Sequence, residues 1–287
     1  MRTKPWVAVA AAVPLLAATP APPTTAEVQP RIPPGTTAAY VVFDRVAGKI
    51  VAHRLAHRAF RSASVVKILI AIDFLERTAR PAGRDLASLK IMLRSSDDDA
   101  ASALWDRGGK GQIITRMSRK LGLADTSPPP AHKPGFWGYT SLSAYDVART
   151  YRYLVDRADA KVRDLVVGHL RQATPCGTDG FDQYFGIPRG LPKPWAVKQG
   201  WSGFGTVPPV RCSPTGAGGA LVTPRTQVLR PLVPDLGRPV LHTTGLVGAG
   251  DRLIFVLLTA HPAGGGWNDS VKRTTTLARD LYRSVSR

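Results

Sequence analysis

Strand-forming segments sit near both ends of this chain, and helix-forming segments fill the middle. Ala39-Tyr-Val-Val-Phe-Asp44 is β-branched and aromatic, and Lys49-Ile-Val-Ala-His53 follows it across a short turn, Arg45 to Gly48. That pair reads as a hairpin. Toward the other end, Trp195 to Trp201, Leu241 to Val247 and Arg252-Leu-Ile-Phe-Val-Leu-Leu-Thr259 read as further strands. Between the groups, Ser64 to Ala79 carries apolar residues at 65, 66, 68, 69, 70, 72, 74 and 75. This predicts a helix buried nearly all round, with Ser62 or Ser64 near its N-cap. Further helices are expected at Asp85 to Leu93, Asp97 to Arg107, Lys110 to Leu121, Leu142 to Ala158 and Lys161 to Gln172. Pro128-Pro-Pro130 to Gly138 is a loop that cannot be helical. A last helix is expected from Asn268, its N-cap, to Val285, with Val271, Ala278, Leu281 and Val285 on one face. Strands from both chain ends around a helical block predict an α+β fold: one sheet flanked by helices, plus an all-helical lobe.

Arg2 and Lys4 precede an apolar stretch from Trp6 to Ala18, followed by small residues and prolines. This is the layout of a secretory signal over residues 1–26, cleaved after Ala18 or Ala26. The run is too short, and too interrupted by Pro14, to span a bilayer. No Cys lies near the cleavage region, so a lipid-anchored form is not expected. The mature chain is expected to be extracytoplasmic, associated with the cell envelope and without a transmembrane span. In such a compartment Cys176 and Cys212 can pair. Residues 27–36 form a Pro-rich lead, and 37–287 read as one domain. Its α/β lobe would take 37–63 and 195–287, and its helical lobe 64–190. A Pro- and Gly-rich insertion at 202–239, holding Cys212, would be pinned by the disulfide.

The net charge is +19, from 39 Lys and Arg against 20 Asp and Glu. Removing residues 1–26 takes two basic residues and leaves 37 − 20 = +17. The Arg residues are spread without a dense run, so anionic wall polymers and solubility explain the charge better than nucleic acid, which is not expected as a partner. No cofactor is expected. His53 and His57 fall on a strand and the loop after it, so their spacing builds no metal site, and none is expected elsewhere.

The sharpest chemical feature is Ser64-Val-Val-Lys67. Three residues along a helix put both side chains on one face, so the amine can lie beside the hydroxyl. A serine is a poor nucleophile until a base takes its proton, and a lysine can serve if its pKa is depressed by burial and nearby cations. Two further segments accompany it: Ser96-Asp-Asp-Asp-Ala-Ala-Ser102 at a helix start, and Val197-Lys198-Gln-Gly-Trp201 on a strand. With these three motifs in this order the sequence resembles the penicillin-recognising serine hydrolases, nearest the class A β-lactamases and related D-alanyl-D-alanine peptidases. The resemblance covers nearly the whole domain and implies an antiparallel five-stranded sheet. It also implies acyl transfer on cell-wall peptides or β-lactam-like amides. By it, Ser64 would be the acylated nucleophile, Lys67 the base, Ser96 the proton shuttle to the leaving nitrogen and Lys198 the cation for a substrate carboxylate. The N–H groups of Ser64 and Trp201 would form the oxyanion hole, and Asp98, Gln199, Gly200 and Trp201 would line the substrate.

The chain departs from the family at several places. Asp98 stands where the family has Asn, and an acid there can hold Lys67 protonated. Gln199 replaces a hydroxyl residue. The interval from Ser64 to Ser96 is shorter than in class A enzymes, and from Ala124 to Tyr139 the only acid is Asp125. With no base in that loop, β-lactam turnover is expected to be poor. These departures also fit an alternative, a non-catalytic protein of this fold that binds cell-wall components.

Overall fold

The computed structural model describes residues 29–213 and 237–286. The expected leader at 1–26, and residues 214–236 of the expected insertion, lie outside the described residues. Strands β1 (Thr37–Asp44) and β2 (Lys49–Arg54) form the hairpin, with a bulge between Val42 and Phe43. A two-residue strand β3 (Phe60–Arg61) leads into a 3-10 turn, Ala63–Val66, that runs directly into α1 (Lys67–Arg77). Helices α2 (Gly83–Arg94), α3 (Asp98–Arg107) and α4 (Gly111–Leu121) follow. The chain then crosses a long loop ending in a 3-10 turn, Trp137–Tyr139, and in β4 (Ser141–Leu142), which pairs with β3. Helices α5 (Ala144–Asp156), α6 (Ala160–Arg171) and the short α7 (Ile187–Gly190) precede β5 (Trp195–Ser202), β6 (Val240–Val247) and β7 (Leu253–Ala260). Helix α8 (Trp267–Val285) comes last.

The main sheet has five strands in the order β2-β1-β7-β6-β5, antiparallel throughout. Alternation along each strand sends successive side chains to opposite faces. Val41, Phe43, Val256 and Leu258 face a core shared with Ile68 and Ile72 of α1 and Tyr151 and Leu154 of α5. Tyr40, Val42, Phe255 and Leu257 face the other way, onto Leu277, Ala278 and Leu281 of α8. Thus α1 lies inside the molecule, and every residue from Lys67 to Leu75 is buried.

Element order and class are as the sequence predicts, while several boundaries differ. Neither Ser62 nor Ser64 caps α1 with its side chain; the Ser62 hydroxyl donates instead to the carbonyl of Ala63, 3.1 Å away, because the helix start is wedged against the loop 137–140. Ser143, accepting from the Asp146 N–H, caps α5, so the preceding Leu142 belongs to β4. The last helix starts at Trp267 with Gly266, not Asn268, as its N-cap, since the buried Trp267 is already in the first turn. Strands β3 and β4 are too short to carry a period. The ends of the segment 202–239 are clamped by Arg61, whose guanidinium donates to Ser202 O at 3.1 Å and Arg238 O at 2.7 Å. Cys176 and Cys212 are joined as a disulfide, tying the loop before α7 to the segment after β5. Its sequence separation of 36 residues makes the cross-link worth about 4 kcal/mol on the chain-entropy account. Replacing both cysteines by serine is therefore expected to lower stability by about 3–4 kcal/mol in a denaturant titration.

Two buried histidines, His242 in β6 and His261 just after β7, are disfavoured as cations. His242 Nε2 donates to Arg61 O at 2.9 Å while Nδ1 accepts from the Thr259 N–H at 3.3 Å, a pattern only the neutral ring satisfies. Burial pushes its pKa down to about 3, and that of His261 to about 4. The unfolded chain binds these protons near pH 6.5 and the folded chain does not, so stability falls as pH drops below about 6.5. Each histidine contributes up to about 1.4 kcal/mol per pH unit, down to its folded value. Thermal melts are expected to show Tm falling between pH 6.5 and 4, with a shallower fall in His261→Gln.

Candidate active site

Three segments converge at the mouth of the sheet. The 3-10 turn presents Ser64, α1 presents Lys67 one turn later, and the residues leading into α3 present Ser96 and Asp98. Lys198 arrives from β5. Ala63 and Ser96 both hold positive φ, +44° and +57°, conformations that cost non-glycine residues energy. The turn at Ser96 directs its carbonyl at Lys67, 2.6 Å from Nζ. Lys67 spends its other bonds on Ser96 Oγ at 3.3 Å and Asp98 Oδ1 at 2.6 Å. Lys198 Nζ lies 2.9 Å from the same Ser96 Oγ and 3.1 Å from Gln199 O. Two buried lysines therefore share one hydroxyl. The Ser64 hydroxyl takes no hydrogen bond among the described residues.

Burial pulls the pKa of Lys67 down, and the Asp98 carboxylate opposes the fall. Lys198 has no such carboxylate in contact, and burial together with the neighbouring Lys67 charge holds it well below the ordinary lysine value. A further carboxylate, Asp179, stands on the loop anchored by Cys176 and accepts from the Trp201 Nε1–H at 2.9 Å. Loss of solvation pushes its pKa up, although the residue lies at the surface. Among the described residues no group of His, Cys, Asp and Glu is placed to hold a metal ion.

Proteins with this architecture are well represented among solved structures. A class A β-lactamase from Mycobacterium abscessus is 16% identical, with a TM-score of 0.59 over 88% of this chain and 95% of that one. PBP-A is 17% identical, with a TM-score of 0.59 over 88% of this chain and 91% of its own, and a point mutant of it is known as an acyl-enzyme complex with penicillin G. The fold is β-lactamase-like. No protein-family model matches the sequence. Proteins of Mycobacterium bovis and Mycobacterium tuberculosis that carry the provisional name lipoprotein LppW are 38% identical over 175 residues, 58% of this chain. The chain spans about half the length of these curated relatives, 54%.

Within this β-lactamase-like fold, Ser64, Lys67, Ser96, Asp98 and Lys198 gather at one place. Gly200 lies against the Ser64 turn: a Cβ there would stand 3.3 Å from Ser64 N and 3.1 Å from Ser62 O. Trp201, the next residue, projects its indole into an aromatic group with Phe181, Phe185 and Trp267. Gln199 turns away from the cluster and donates through Nε2 to Phe185 O, leaving Oε1 buried without a partner. Asp125 is occupied with Ser143 and His57, at 2.7 and 2.8 Å. In the loop it begins, Trp137 faces the site, its ring centroid 4.5 Å from Lys67 Nζ. Asp179 and Trp137 carry no motif in the sequence. The only hint of Asp179 is its place between glycines next to Cys176, which marks a tight anchored turn.

A buried lysine without a carboxylate in contact costs stability. Lys198→Met is accordingly expected to raise the unfolding free energy by about 1–2 kcal/mol in urea titrations. Because the folded lysine resists protonation, the gain should be larger at about pH 6 than at about pH 9.

Proposed function

We propose that the protein is an extracytoplasmic serine acyl-transfer enzyme acting on cell-wall peptide amides, and that β-lactams acylate it but leave slowly. The observation that carries this reading is the meeting of Lys67 and Lys198 on the Ser96 hydroxyl beside the Ser64 turn, within a fold whose relatives include penicillin acyl-enzymes. A substrate carbonyl seated between β5 and the 3-10 turn would direct its oxygen at the N–H groups of Ser64 and Trp201. Ser64 Oγ would attack the carbonyl carbon, and Ser96 would pass a proton to the leaving nitrogen. Release then needs an activated water. The loop 124–139 brings Trp137 rather than a carboxylate to Lys67, and its one acid, Asp125, is held by Ser143 and His57, so that loop supplies no carboxylate base for hydrolysis of the acyl-enzyme.

The expected leader and the lipoprotein name of the relatives support the extracytoplasmic location. Both cysteines are consumed in one disulfide, so neither is free to carry a lipid. Among the described residues no helix is long and apolar enough to cross a membrane. A groove of about 640 Å³ along α8, lined by Arg189, Arg211, Lys272 and Arg279, supports contact with anionic wall polymers.

Intact-mass spectrometry after incubation with penicillin G is expected to show one covalent adduct, absent in Ser64→Ala and persisting for at least about an hour. Gly200→Ala, which crowds the Ser64 N–H, is expected to slow adduct formation at least about tenfold while the protein stays folded. A second reading, wall binding without catalysis, is favoured by the Lys67–Asp98 pair, which leaves no Lys67 bond for Ser64. It would be adopted if no adduct formed while peptidoglycan sedimentation still carried both wild type and Ser64→Ala.

A further inference from the structure

We propose that the two lysines divide the work in an unexpected way: Lys67 is a fixed cation and Lys198, acting through the Ser96 hydroxyl, is the amine that accepts the nucleophile's proton. The inference rests on the acyl-transfer reading above and assigns its proton path.

Hydrogen-bond bookkeeping motivates it. An ammonium has three donors and no acceptor. Lys67 spends three bonds, on Ser96 O, Ser96 Oγ and Asp98 Oδ1, and so behaves as a charged donor tied to a carboxylate. Its ammonium also sits over the Trp137 ring, which favours the cation. Among the described residues Lys198 has only Gln199 O and Ser96 Oγ as partners. With Lys67 donating to Ser96 Oγ, the Ser96 proton needs an acceptor. A neutral Lys198 supplies it, while its own N–H donates to Gln199 O.

Charge leads to the same assignment. Lys198 is 1% exposed and Lys67 not at all. Two ammonium groups on one hydroxyl repel in a medium that screens them poorly, so the pair sheds one proton first. The groups facing Lys198 are Lys67 from α1, Asp98 from α3 and Asp179 from the disulfide-anchored loop. Of the two carboxylates, Asp98 is bonded to Lys67 and Asp179 to the Trp201 indole, so the proton stays on Lys67. Burial and the Lys67 charge both depress the Lys198 pKa.

The step balances without another reactant. With substrate bound, the Ser64 hydroxyl, which has no hydrogen bond among the described residues, turns to Ser96 Oγ; its proton moves there as the Ser96 proton moves to Lys198 Nζ, and Ser64 Oγ bonds to the substrate carbonyl carbon. When the carbon–nitrogen bond breaks, the protons return along the same line to the leaving nitrogen. Lys198 ends neutral, and the Lys67 charge stays in place throughout.

The test has two arms. The first titrates the Nζ signals of isotope-labelled lysine in the full chain by NMR, assigned with Lys67→Arg and Lys198→Arg. Lys198 is expected to lose its proton at lower pH than Lys67; the reverse order overturns the proposal. The second follows acylation by a fluorescent penicillin against pH. Its rate should rise with the Lys198 titration, fall on the order of a thousandfold in Lys198→Arg, and fall only about tenfold in Lys67→Arg. A rate that tracks Lys67 instead, with Lys198→Arg the milder variant, overturns the proposal. If Lys198 titrates first but no adduct forms in wild type, the charge assignment is supported and the acyl-transfer reading is what fails.

Discussion

The rest of the site depends on a lysine buried in the wall of a helix that has no solvent face. Lys67 lies in α1, whose residues are buried through Leu75, so its amine cannot reach water by snorkelling. An ion in that position persists only if its donors are matched, and the chain matches them with a carbonyl, a hydroxyl and the Asp98 carboxylate. Those partners come from Ser96, which adopts a left-handed backbone in the turn before α3, and from Asp98, the first residue of α3. The strained turn, the exposed Asp98 and the fully buried Lys67 are one construction, since removing any of them strands the others.

Much of the architecture is legible in the sequence because the segments that build it are long and periodic. The hairpin 37–54, the inner helix and the three late strands follow from residue type and spacing alone, and their order dictates a sheet made from both chain ends. The misplacements occur where short-range signals compete. Asn268 is a good cap by type, but Trp267 needs burial one residue earlier and pulls the helix start with it. Leu142 is apolar and in phase with α5, yet it pairs with Phe60, a contact set by tertiary structure.

The site was legible in part, and the division is physical. Ser64 and Lys67 are legible from their spacing on one helix face, whereas Ser96, Asp98 and Lys198 are named through the resemblance to the penicillin-recognising serine hydrolases. The side-chain direction of Gln199 could not be read, since only the structure shows that it bonds Phe185 O. Asp179 and Trp137 were invisible for a related reason. Asp179 reaches the cleft through a loop fixed by a disulfide with a partner far along the chain, and Trp137 through a loop without period.

The substitution at Asp98 has a consequence beyond its effect on Lys67. An asparagine side chain both donates and accepts, whereas a carboxylate only accepts. With one oxygen on Lys67, Asp98 can offer a ligand nothing but acceptor lone pairs, and Gln199 offers nothing because its amide is turned inward. The side chains around the two lysines thus present acceptors at Asp98 and Asp179, while Gln199 presents neither donor nor acceptor to them. Asp98 contacts Lys67 and Asp179 contacts the Trp201 indole, so among the described residues Lys198 is left without a contacting anion, and one arrangement of charges distinguishes the two lysines.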